Sequence, residues 1–149
     1  MTKYLTEHFI PKNPQKYIGP NLSSICLRSS WESAMAKVLD THPSCLSWSS
    51  EAISIPYYNP VIQKWSMYVP DFFVIYIDKN NLKHCELIEI KPEKEMPGYH
   101  GNVSERTKLV QAINAAKWQA ALVYCAKRNW QFRVMTENQL FGLATKNKT

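Results

Sequence analysis

The chain has 149 residues, 45% of them hydrophobic and 20% charged, which fits one globular domain with a modest core and excludes a disordered tail. Lys and Arg outnumber Asp and Glu by 18 to 12, a net charge of +6 that suits a phosphate-bearing partner, although many small proteins are basic without one. The four cysteines, at 26, 45, 85 and 125, have no paired spacing; this excludes a cysteine-based zinc site and favours reduced core thiols over a disulfide framework.

Residues 1–28 place Pro11, Pro14 and Pro20 among Lys3, Lys12 and Lys16 and predict an extended N-terminal arm. It either wraps the domain, reaches for a partner or lies passively on the surface. The N-terminal residues show no signal-peptide pattern, since Lys3 and Glu7 interrupt it, and the longest apolar run, 72–77, is far too short to span a bilayer, so a soluble intracellular protein is expected. Ser29 and Glu32 have capping-box spacing. Trp31, Ala34, Met35, Val38 and Leu39 then form one apolar stripe, so a helix starts near Ser29 and ends before Pro43.

Leu46, Trp48, Ile53 and Ile55 mark a first extended segment, closed by Pro56; residues 57–66, with Pro60, read as a loop. A second strand over 67–77 is apolar on both faces after Asp71 and is expected at the centre of a sheet. The turn 78–81 joins it to a third strand over 82–91 as a hairpin. A Pro- and Gly-containing loop over 92–102 leads to a long helix over 104–128. Trp130, Phe132 and Val134 alternate as a fourth strand, Thr136 and Gln139 open a short C-terminal helix, and 144–149 form a frayed tail. The predicted order, α-β-β-β-α-β-α over a single domain 1–149, packs naturally as a mixed sheet between helices.

Asp71 stands at the mouth of an apolar strand, where a lone carboxylate is costly. Glu89 and Lys91 are two apart on the next strand and project together, while Ile88 and Ile90 pack the other way. Hairpin pairing brings Asp71 and Glu89 together, and a divalent cation is the usual remedy for such repulsion. Two carboxylates and a main-chain carbonyl such as that of Ile90 supply part of the oxygen set Mg²⁺ takes, leaving room for water and phosphate. Lys91 is then placed to orient a water and offset charge. Glu32, on the border of the helix stripe, is either a further carboxylate of this set or only the capping-box glutamate. Taken singly, Glu-x-Lys also fits a salt bridge, and Pro-Asp a turn.

This arrangement resembles the PD-(D/E)xK nuclease superfamily, with Pro70-Asp71 and Glu89-Ile90-Lys91 in the two signature places. Arg28-Ser29-Ser30-Trp31-Glu32, Trp48-Ser49-Ser50-Glu51, Ile55-Pro56-Tyr57, Pro70-Asp71-Phe72-Phe73 and Ile88-Glu89-Ile90-Lys91-Pro92 narrow it. They are similar to the head-completion nucleases of large contractile-tailed phages, and through them to the endonuclease subunit of some transposases. The likeness spans residues 9 to 135, with Leu27 standing where an aromatic is expected. It implies a restriction-endonuclease-like α/β core and hydrolysis of DNA phosphodiesters with Mg²⁺, or another divalent ion such as Mn²⁺. It also implies a role after packaging, when the filled head is readied for tail joining in the host-cell cytoplasm, with portal or other head-completion proteins as partners and a homodimer as one way to cut both strands. Asp71 and Glu89 would bind metal, Lys91 would serve the water, and Glu32 would be the helix carboxylate.

Arg28, Lys94, Arg106 and Lys108 flank this site and are candidate phosphate contacts. Gln111, Asn114 and Lys117 recur at helical spacing, which fits either a solvated face or one turned to the site or to DNA. Two other functions fit the same residues. One is a non-catalytic head-joining protein that plugs the DNA end; the other is a transposon or repair endonuclease of this fold.

Overall fold

The computed structural model describes residues 7–136 and Gln139. Its centre is a four-stranded mixed sheet in the order β3 (Cys45–Ser50), β6 (Phe72–Ile77), β7 (Lys83–Ile90), β8 (Gln131–Met135). β3–β6 and β6–β7 pair antiparallel, and β7–β8 pair parallel through the long helix α2 (Glu105–Arg128). β6 is an inner strand, as its unbroken apolar run requires.

The two faces of this sheet carry separate cores. On one, Trp48, Phe72, Val74, Ile88 and Ile90 pack against Met35, Ala36 and Leu39 of α1 (Ser30–Thr41). On the other, Leu87 packs with Trp118, Ala121 and Cys125 of α2 and with Ile55, Tyr57 and Tyr68. Adjacent residues on β6 and β7 therefore serve opposite layers, the period-two consequence of a strand buried on both sides.

Both helices begin on the expected serines. The Ser29 hydroxyl accepts from the Glu32 N–H at 3.1 Å, and the Ser104 hydroxyl from the Thr107 N–H at 3.1 Å. α2 ends on Asn129 in the left-handed region, φ 62°, a conformation asparagine tolerates.

Residues 7–28 lie against the first core. β1 (Glu7–His8) pairs with β2 (Cys26–Leu27), and Phe9, Tyr17, Ile25 and Leu27 are buried. Asp40 of α1 anchors the segment: its carboxylate accepts from the Lys12 N–H at 2.7 Å and the Asn13 N–H at 3.0 Å. Phe9 and Tyr17 meet Trp48 edge-on.

The stretch between β3 and β6 differs from the expected organisation. Residues 57–66 are not a loop. β4 (Ile55–Asn59) and β5 (Lys64–Tyr68) form an antiparallel hairpin that lies over α2. The expected first segment is likewise two strands, parted after Ser50 where Glu51 takes φ 50°. Pro60 lies in the turn just past β4, and the outward residues Trp65 and Met67 are apolar and exposed, so no polar alternation marks the hairpin. The expected strand 67–77 is also two, because Pro70 has no N–H to continue a ladder from β5 into β6. The short C-terminal helix and the tail 144–149 lie outside the described residues, apart from Thr136, whose N–H donates to Gln139 Oε1 at 3.0 Å. Among the described residues no helix is long and apolar enough to cross a membrane.

Candidate active site

β5 ends at Tyr68 and β6 begins at Phe72, so Asp71 sits where the chain enters the central sheet. Across from it, Glu89 is the penultimate residue of β7 and is 4% exposed. The pairing of β6 with β7 draws them together: the Asp71 N–H donates to Glu89 Oε1 at 3.2 Å, and the Ile90 N–H donates to Asp71 Oδ2 at 2.8 Å. Each carboxylate is thus held by the other's neighbouring main chain. Lys91 follows β7, its N–H donates to the Met135 carbonyl at 3.0 Å, and its ammonium lies 3.6 Å from Glu89 Oε2.

The electrostatics are those of two acids forced together, Glu89 buried and Asp71 half-buried. Asp71 is held well above the ordinary carboxylate range, first by burial and then by Glu89 and Glu32; the Ile90 N–H and Lys91 oppose the rise. Burial also raises Glu89, against the pull of Lys91, Tyr68 and Lys117. Among the described residues no group of three or more His, Cys, Asp or Glu is gathered as a ready metal cluster. The site is a pair of carboxylates with a lysine, and its donors are oxygens.

Glu32 stands in the first turn of α1, close enough to raise Asp71. Its carboxylate also accepts from the Arg28 N–H at 3.2 Å. Both readings of Glu32 therefore have a physical basis: it closes the helix start, one residue further back than a capping box does, and it adds negative charge at the site.

The flanking residues divide. The Arg28 guanidinium is spent on Glu51 through two contacts, 3.2 and 3.3 Å, and Lys108 pairs with Glu105 at 3.0 Å. Arg106 is exposed on the first turn of α2. Asn114 corrects the expectation of a solvated or DNA-facing amide. It is 2% exposed and donates to the Glu95 carbonyl at 3.0 Å, while Gln111 donates to the Lys94 carbonyl at 2.7 Å. These two amides strap the short turn Glu93–Glu95 to α2, since a buried amide needs such a partner. Lys117, three residues on, is half-buried on the side of the acidic pair, with its ammonium over the rings of Tyr68 and Tyr57.

Tyr68 was not legible as a site residue. It ends β5, and its buried hydroxyl lies beside Glu89 without an aligned hydrogen-bond partner among the described residues. Burial and the two acids push the phenol up. Only the proximity of residue 68 to Pro70-Asp71 in sequence hints at this. His84 is held by Asp78 at 2.8 Å in the β6–β7 turn, at the other end of the hairpin from the carboxylates.

A family model described as TnsA-like endonuclease N terminal matches residues 42–137. The chain belongs to this endonuclease family. It is also similar to the head completion nuclease of Enterobacteria phage T4, 31% identical over 147 residues, covering 93% of this chain and 95% of that protein. The restriction-endonuclease-like α/β core expected from the sequence is borne out by the mixed sheet and by this membership. Asp71, Glu89, Lys91, Tyr68 and Lys117 all fall inside the matched span, whereas Glu32 and the rest of α1 precede it.

Proposed function

We propose that the protein is a Mg²⁺-dependent deoxyribonuclease that works on phage DNA during head completion in the host-cell cytoplasm, with Asp71 and Glu89 as metal ligands. The observation that carries this is the meeting of the buried Glu89 carboxylate with the half-buried Asp71 carboxylate, both raised by loss of water, with a lysine alongside. Structural ion pairs do not need two acids together, and a divalent ion removes the repulsion that this arrangement costs. In an extended strand the N–H and C=O of one residue leave the same edge. The Ile90 carbonyl is therefore on the side where its N–H meets Asp71 and completes an all-oxygen set suited to a hard cation.

Bound there, Mg²⁺ supplies charge for the phosphoryl oxygens and makes water a stronger nucleophile. The chain's own residues do the rest. Asp71 and Glu89 fix the position through hydrogen bonds from the facing backbone, and Lys91 orients the attacking water and offsets charge that grows in the transition state. Glu32 adds a carboxylate at the rim.

The near full-length similarity to a phage head completion nuclease supports head completion over transposition, and gene neighbourhood separates the two at little effort. The enzymatic test is cleavage of linear and circular DNA with Mg²⁺ or with chelator, by wild type, Asp71→Ala and Lys91→Ala. Cleavage by wild type in Mg²⁺ alone is expected; equal products from all three would end the proposal. If a folded Lys91→Ala variant still supported head–tail joining, the chain would be a non-catalytic plug of the DNA end.

A further inference from the structure

Lys117 occupies a place that its sequence pattern does not explain. Its ammonium lies 5.5 Å from the centre of the Tyr68 ring and 5.9 Å from that of Tyr57, on the inner face of the β4–β5 hairpin. Among the described residues it forms no ion pair, although Glu89, Asp71 and Glu95 are all within electrostatic reach. The two aromatic faces repay part of the loss of water. A side chain that only packed the hairpin on the helix would need no charge; methionine fills such a gap without the desolvation cost.

We infer that Lys117 is a phosphate-binding residue of this site, its ammonium taking a non-bridging oxygen of the DNA phosphate held against Asp71 and Glu89. The inference rests on the deoxyribonuclease reading and extends it. The charge count supports it. Asp71, Glu89 and Glu32 outweigh Lys91 and Lys117 by one charge, so a bound divalent ion leaves one positive charge, which would be lost without Lys117. A phosphodiester carries one negative charge and its hydrolytic transition state two. Lys91, paired with Glu89 at 3.6 Å, is committed to the carboxylate side. Among the described residues the ammonium of Lys117 has no ion-pair partner, and it approaches from α2 where it can meet substrate.

The test uses the full chain as wild type, Lys117→Met, Lys117→Gln and Lys117→Arg. Three quantities are read: the melting temperature, single-turnover cleavage in Mg²⁺, and duplex DNA affinity against salt in chelator, where no turnover occurs. Lys117→Met and Lys117→Gln should cleave at least tenfold more slowly, with half-maximal Mg²⁺ unchanged or lower because a repelling cation is gone. Their log affinity against log salt should be shallower by about 0.9, one phosphate contact. Lys117→Arg should restore the slope and part of the rate. A merely structural lysine would move none of these without lowering the melting temperature. A folded Met or Gln variant that cleaves within twofold of wild type and keeps the full salt slope would overturn the inference. A wild type that never cleaves removes the nuclease reading, and the slope in chelator still decides whether Lys117 holds phosphate.

Discussion

Asp71→Asn should make the metal-free protein more stable while removing its response to Mg²⁺. The substitution keeps the shape and an oxygen to accept from the Ile90 N–H, and it deletes one of two like charges. Two unit charges ~5 Å apart repel by about 3 kcal/mol at an effective dielectric of ~20. Lys91, 3.6 Å from Glu89, cancels part of that for the pair, and wild-type Asp71 escapes part by holding a proton. A net gain of about 1–2 kcal/mol remains, or roughly 3–6 °C for a domain of this length. The sign with pH follows from the raised folded value of Asp71. Between the unfolded and folded values the native chain binds a proton that the unfolded chain does not, so wild-type stability falls as pH rises through that window. The variant's advantage therefore grows as pH rises through that window and is larger at pH 8 than at pH 4. Excess Mg²⁺ should reverse the ranking, since saturation to ~100 times the dissociation constant adds about 2.7 kcal/mol to wild type alone. Thermal melts followed by tryptophan fluorescence, at both pH values and with chelator or Mg²⁺, test each part. The reasoning fails if a folded Asp71→Asn protein melts below wild type at pH 8 in chelator, or if both gain equally from Mg²⁺.

Three further outcomes are expected. Glu32→Gln keeps an acceptor for the Arg28 N–H, so its stability should stay within about 0.5 kcal/mol of wild type. Its cleavage rate should fall by roughly tenfold or more; an unchanged rate would leave Glu32 to the helix start. Asn114→Leu strips the Glu95 carbonyl of its buried partner and should cost about 1–3 kcal/mol in denaturant melts, with faster proteolysis around residues 93–101; wild-type protection there would refute the strap. Trp48→Ala, at the junction of Phe9, Tyr17 and Phe72, should cost about 3–5 kcal/mol and free the N-terminal segment, seen as lost amide protection of residues 9 and 18.

The site was readable where its residues obey strand geometry. Glu89 and Lys91 share a face because they are two apart, and the turn after Ile77 sets the pairing that brings Asp71 opposite. Both helix starts were readable because serine caps are local chemistry. The β4–β5 hairpin was not, because its outer face carries Tyr58, Trp65 and Met67 in place of polar residues and its turn begins with a proline. With the hairpin hidden, Tyr68 had no place beside Glu89 and Lys117 no aromatic seat. The same helix spacing that suggested one face for Gln111, Asn114 and Lys117 concealed two destinations, the 93–95 turn for the amides and the aromatic rings for the lysine. A helical period gives neighbours along one side, not what lies against them.

The backbone bond from Lys91 to Met135 ties the lysine to the last strand of the sheet. β8 pairs with β7 only after α2 has been made and has crossed over, some forty residues beyond the lysine itself. A polypeptide still emerging from the ribosome can close the β6–β7 hairpin and bring the two acids together, but it has nothing to clamp Lys91 until residue 135 is free. On the proposed reading, the chain would acquire its full site only once residue 135 has been made. Products that stop before residue 135 would carry the two acids without the clamped lysine.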